Sequence, residues 1–128
     1  MPLGAARFGF QSGKSFIEAT GGNAINTYTE GGVNYKAHVF TASGNFVVSS
    51  LGSDGATQIL LVAGGGSAGG GNDDPNSAGG GGAGAYVIDT LTFSSIGTYP
   101  IVIGAGGAQV SHANVGNQGN SSQIQAIG

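Results

Sequence analysis

Between two apolar runs of this chain lies a stretch, Gly64–Gly84, in which 11 of 21 residues are glycine. No other feature restricts the fold so much. A glycine gives up more backbone freedom on ordering than any other residue, so consecutive glycines are costly to hold in place. Two tracts, Gly64–Gly71 and Gly79–Gly84, flank the polar tip Asn72-Asp73-Asp74-Pro75-Asn76-Ser77. Such tracts can be a flexible linker. They can also form left-handed, three-per-turn chains that pack side by side with no side chains between them and exchange backbone hydrogen bonds laterally. The borders favour the second reading. Ile59–Val62 leads into the first tract and Ala85-Tyr86-Val87 follows the second, so the tracts form one excursion within a sheet, with ordered ends.

The rest of the chain reads as strands and turns. Val33, Tyr35, Ala37 and Val39 alternate with polar residues, the period of a half-buried strand with His38 on its polar side. Ile25–Thr29 can pair with it across Glu30-Gly31-Gly32. Tyr35–Thr41 and Phe46–Ser49 are expected to form a hairpin across Ser43-Gly44-Asn45. The continuous run Ile59-Leu60-Leu61-Val62 predicts a strand buried on both faces. Ala85–Phe93 and Tyr99–Ile103 follow as strands, and Gln123–Ile127 is a candidate last strand. No segment combines helical periodicity with a start signal. Val and Ile number 18 against 6 for Leu and Met, which favours strands. The expected fold is all-β: a small antiparallel β-sandwich, jelly-roll-like, over residues 24–128, with the excursion at 64–84. An extended docking arm at 1–23 carries Phe8, Phe10, Phe16 and Ile17.

Charge excludes several functions. Asp, Glu, Lys and Arg make up 7% of the 128 residues, where about 25% is usual, and the net charge is −3. Three basic residues do not support phosphate-based nucleic-acid binding. No apolar run reaches the roughly 18 residues of a membrane-spanning helix, and Met1–Arg7 does not open a signal peptide. Without cysteine there is no disulfide and no Cys-ligated zinc. The chain stops at Gly128 without a polar tail, from which the natural architecture is expected to continue.

Motif matches are weak on physical grounds. Gly13-Lys14-Ser15 resembles the end of a phosphate-binding loop, but position 8 is Phe8 and no helix follows. Gly64-Gly65-Gly66-Ser67-Ala68-Gly69 fits G-x-G-x-x-G after an apolar strand, with Asp89 further on. The following Gly70-Gly71-Asn72-Asp73-Asp74-Pro75 cannot open the helix that a dinucleotide needs. Asn72, Asp73, Asp74 and Asn76 gather oxygen ligands without the spacing of a calcium loop, and read as an exposed recognition loop. His38 and His112 have no ligand partners at metal spacing. No Ser sits in a nucleophile elbow and no carboxylate pair is placed for acid–base work. No enzymatic activity and no cofactor are expected. Tyr28, Tyr35, Tyr86 and Tyr99 read as cross-strand or core residues, with sugar stacking as the alternative.

The succession Tyr35-Lys-Ala-His-Val-Phe-Thr-Ala-Ser-Gly-Asn-Phe, Ile59-Leu-Leu-Val-Ala-Gly-Gly-Gly, Gly79-Gly-Gly-Gly-Ala-Gly-Ala-Tyr and Gly97-Thr-Tyr-Pro-Ile-Val-Ile-Gly-Ala-Gly-Gly resembles the glycine-rich β-domain of tailed-bacteriophage structural proteins, particularly tail fibres. The resemblance covers about residues 24–108. It implies a virion protein, commonly trimeric, near the host-contacting end of the particle, with other virion proteins as partners and no catalytic residues. The expected function is therefore a tail fibre or spike component anchored by its arm. The alternatives are a capsid decoration protein and an adhesin whose loops, tipped by Asn72–Ser77 and within Gly104–Gly119, bind host surface glycan. A small glycine-rich core also favours a homo-oligomer.

Overall fold

The computed structural model describes residues 15–71 and 78–126. These residues form eight strands and no helix, joined into three antiparallel sheets. The strands are β1 (Glu18–Thr20), β2 (Ala24–Glu30), β3 (Val33–Val39), β4 (Gly44–Ser50), β5 (Ala56–Val62), β6 (Tyr86–Thr92), β7 (Gly97–Val102) and β8 (Gln123–Ile124). The expected all-β fold takes the form of one four-stranded sheet, β1-β4-β7-β8, and two ribbons, β2–β3 and β5–β6.

The core sits on the four-stranded sheet. Strand alternation turns Phe46 and Val48 of β4 inward beside Tyr99 and Ile101 of β7, with Phe46 directly opposite Tyr99. Phe93, just past β6, closes the cluster, its ring 5.5 Å from Phe46 and 4.5 Å from Tyr99. Val48 is the most enclosed of these, at 2% exposure. Burying each such side chain contributes about 1.5–3 kcal/mol. Ile17, Ala19, Phe40, Leu51, Leu91, Ile103 and Ile124 pack around the cluster. The Tyr99 hydroxyl donates to the Ser95 carbonyl at 2.7 Å, so its polar end is satisfied within the fold.

The β2–β3 hairpin forms as expected. Its two-residue loop, Gly31-Gly32, has φ of 57° and 79°, the left-handed values that a type I′ turn requires at both positions. The hairpin expected from Tyr35–Thr41 and Phe46–Ser49 does not form. One edge of β4 is taken by β1 and the other by β7, while β3 pairs with β2. The link between β3 and β4 is instead held by Asn23, whose Oδ1 accepts from the N–H groups of Thr41 and Ala42.

Two burial expectations are also corrected. Alternation in β3 does not give a half-buried strand: Tyr35 and Val39 stay exposed with Asn34 and Lys36, and its partner β2 is exposed along its whole length. His38 is half-buried: its Nδ1 donates to the Gly21 carbonyl at 2.7 Å and its ring meets Phe46 edge-on at 5.2 Å. Nor is Ile59–Val62 covered on both faces. Among the described residues β5 pairs only with β6, and no layer covers Leu60 and Val62, which stay exposed.

From Ser15 onward the expected docking arm belongs to the fold. Ser15 N–H donates to Ser53 Oγ at 2.9 Å, and β1 lies against β4. Ile17 packs on the core and Phe16 is exposed. Phe8 and Phe10 lie outside the described residues.

Candidate functional site

Strands β5 and β6 pair in full antiparallel register, from Ala56 opposite Thr92 to Val62 opposite Tyr86. The glycine excursion is therefore a continuation of this ribbon. Past Val62 the pairing changes character. The N–H groups of Ala63, Gly66 and Gly69 donate to the carbonyls of Ala85, Gly82 and Gly79, at 2.8, 2.9 and 3.2 Å. Those of Gly64, Ser67 and Gly70 donate to Asn120, Asn117 and Asn114, at 2.9, 2.8 and 2.8 Å. The Gly65 carbonyl accepts from Gly107, and that of Gly71 from Ala113. The donors to each of the first two neighbours recur at every third residue. A chain with three residues per turn has this signature, since it makes no internal hydrogen bonds and directs its groups outward along three faces.

Residues 63–71 are thus the central member of an array. Segments 78–85, 105–108 and 113–120 lie around it. The outer members also bond to each other, through Asn120 N–H and the Ala105 carbonyl at 2.8 Å. Close approach imposes glycine at particular places. A Cβ on Gly84 would collide with the backbone of Ala63, one on Gly119 with Gly64, and one on Gly107 with Asn117. Gly79, Gly80 and Gly82 have nothing within 4 Å of where a Cβ would stand. The demanding glycines recur at a spacing of three: Gly81 and Gly84, Gly104 and Gly107, Gly116 and Gly119.

Side chains fasten the array at few points. Ser67 stands on the central segment, and its Oγ accepts from Asn117 N–H at 2.8 Å. Asn117 Nδ2 reaches the Ala108 carbonyl at 2.9 Å. Ser122 Oγ donates to the Val62 carbonyl at 2.6 Å and accepts from Gly104 N–H at 2.9 Å, at the junction with the sheets. At the far end, Asn114 Nδ2 donates to the carbonyls of Ser111 and His112. Ala113 there adopts φ 60°, a left-handed value at a non-glycine residue. Its N–H bond to Gly71 places the Ser111–Asn114 loop beside the last described residue before the 72–77 tip. Asn72, Asp73, Asp74 and Asn76, read from sequence as a recognition loop, lie outside the described residues.

A concavity opens between the two ribbons, with a volume of about 830 Å³. Tyr28, Tyr35, His38, Thr57 and Gln58 are among the residues that line it. Tyr28 and Tyr35 are opposite each other in β2 and β3, with ring centroids 5.1 Å apart and planes at 12°. They are therefore a cross-strand stack, each spending one ring face on the other. The residues of G-x-G-x-x-G, Gly64, Gly66 and Gly69, sit in the array and not at a helix start, so the match reflects glycine content. Among the described residues no group of three or more His, Cys, Asp or Glu could hold a metal ion.

Sequence reasoning located the glycine tracts and missed their partners. Residues 109–122 carry neither the period of two of a strand nor the 3.6 of a helix. The detectable period there is three: Asn114-Val-Gly, Asn117-Gln-Gly and Asn120 set asparagine and glycine in phase.

A family model for a glycine-rich domain matches residues 40–128. That span contains the main core strands β4 and β7, the β5–β6 ribbon and the whole array. No curated protein and no solved structure matches the chain significantly.

Proposed function

This chain belongs to the glycine-rich domain family, and from that premise we propose that it is a structural protein of a tailed-bacteriophage virion, a tail-fibre or spike component anchored through its N-terminal segment. The observation that carries the reading is the array. Four segments are held in place by backbone hydrogen bonds with almost no side chains between them, an arrangement suited to bearing shape and contacts. It supports the likeness to fibre β-domains drawn from Tyr35–Phe46, Ile59–Gly66, Gly79–Tyr86 and Gly97–Gly107. Other virion proteins and further copies of the same chain are the partners in this reading.

The anchoring test is a truncation of Met1–Lys14. The cut stops there because Ser15 bonds to Ser53 and Glu18–Thr20 pairs with β4. The truncated protein should fold and be lost from purified particles. Normal incorporation would end the anchoring reading. Copy number separates a fibre, present in tens, from a capsid decoration protein, present in hundreds.

One observation favours an adhesin role within the same reading. The Gly71–Ala113 bond brings the polar Ser111–Asn114 loop to the start of the 72–77 tip. The Ser111–Asn114 loop is polar and carries no Asp, Glu, Lys or Arg, which suits a neutral host glycan. Exchanging both loops should change host adsorption and leave particle assembly intact.

A further inference from the structure

We infer that the outer face of the β5–β6 ribbon is a self-association surface, covered in solution by a second copy of this chain. Register and alternation put Ala56, Gln58, Leu60 and Val62 of β5 on this face, opposite Thr92, Thr90, Ile88 and Tyr86 of β6. Its lower half, with Ala56, Gln58 and Thr90, borders the concavity between the two ribbons; its upper half is apolar and open, with Leu60 63% exposed, Val62 55%, Tyr86 70% and Ile88 72%. The ribbon's other face is turned toward the core through Leu91.

Three arguments select the occupant. The first is area. The four side chains leave on the order of 500 Å² open, near the top of the roughly 300–600 Å² that the largest apolar patch of a monomer reaches. A specific interface buries at least about 1,000 Å² in total, hence about 500 Å² per partner. One such face meeting its own copy supplies that area. The second is charge. None of the eight residues on the face is charged, so two chains of net charge −3 can meet there without like charges in contact. The third is the ribbon itself. A two-stranded sheet is marginal in water unless its apolar face is covered, and among the described residues nothing covers this one.

The inference deepens the homo-oligomer part of the proposed function and does not depend on the virion. Its test uses the purified full-length protein. Sedimentation should give a dimer or larger species, and Leu60→Ser with Ile88→Ser should give a monomer with an unchanged far-ultraviolet spectrum. Because the chain has no cysteine, Ile88→Cys offers a direct readout: mild oxidation should link two copies through it. Val115→Cys, on an 89% exposed residue of the array, is the control and should not link. A wild-type protein that stays monomeric across a hundredfold concentration range overturns the inference. So does an oligomer that survives Leu60→Ser with Ile88→Ser, or cross-linking at Val115→Cys as efficient as at Ile88→Cys. A face that becomes protected only when a different virion protein is added also overturns it, while leaving the virion reading intact.

Discussion

Ser67 and Asn117 are joined twice: the Ser67 N–H donates to the Asn117 carbonyl at 2.8 Å, and the Asn117 N–H donates to Ser67 Oγ at 2.8 Å. The hydroxyl does for one turn of the array what a backbone carbonyl does elsewhere. Ser67→Ala keeps the first bond and removes the second, leaving the Asn117 N–H in need of a partner. The expected loss is about 1 kcal/mol, the usual net worth of one such bond, measured as a lowered denaturant midpoint at unchanged slope. Ser67→Thr keeps the hydroxyl and should retain more of the stability.

Glycine content and glycine position separate in the array. Gly84→Ala and Gly119→Ala each drive a methyl group into the backbone of the central segment, and should cost about 1–3 kcal/mol through forced backbone shifts. Gly80→Ala and Gly82→Ala meet open space. They should be neutral or stabilise by up to about 1 kcal/mol, because they restrict only the unfolded chain. Thermal melts of the four variants give the ordering directly. Equal losses at all four positions would show that the array is not close-packed.

Phe93 holds the core together from outside the four-stranded sheet, in contact with both Phe46 and Tyr99. Phe93→Ala removes the ring shared by both pairs and should cost about 3–5 kcal/mol, enough to unfold a small domain near physiological temperature. Tyr99→Phe removes only the bond to the Ser95 carbonyl and should cost about 1 kcal/mol. The two variants differ in melting temperature if the core lies where the structure puts it.

His38 fixes the link between the β2–β3 ribbon and the start of the fold through Gly21. A carbonyl can only accept, so Nδ1 carries the proton in that bond. Nitrogen-detected NMR should find a protonated Nδ1. His38→Phe should keep the edge contact with Phe46 and lower stability by about 1 kcal/mol. An Nε2–H tautomer with an unprotonated Nδ1 would contradict the assignment.

The sequence by itself determined the all-β class, the Gly31-Gly32 turn and the placing of the glycine excursion within a sheet. These follow from local rules: two adjacent residues needing positive φ, a period of two along Val33–Val39, and apolar runs that abut both ends of Gly64–Gly84. Tertiary structure alone decided which strands meet. Sequence proximity pairs Phe46–Ser49 with Tyr35–Thr41, but β4 took β1 and β7, and those pairings bring Phe46, Val48, Tyr99 and Ile101 together. The same holds for the apolar run Ile59–Val62. Its composition fits a strand covered on both sides, and among the described residues no layer lies over Leu60 and Val62, which leaves one face exposed. The partners of the glycine tracts were hidden for a related reason. A three-per-turn segment has no hydrogen bonds of its own, so Asn114–Asn120 acquires its structure only when Gly64, Ser67 and Gly70 are brought alongside it.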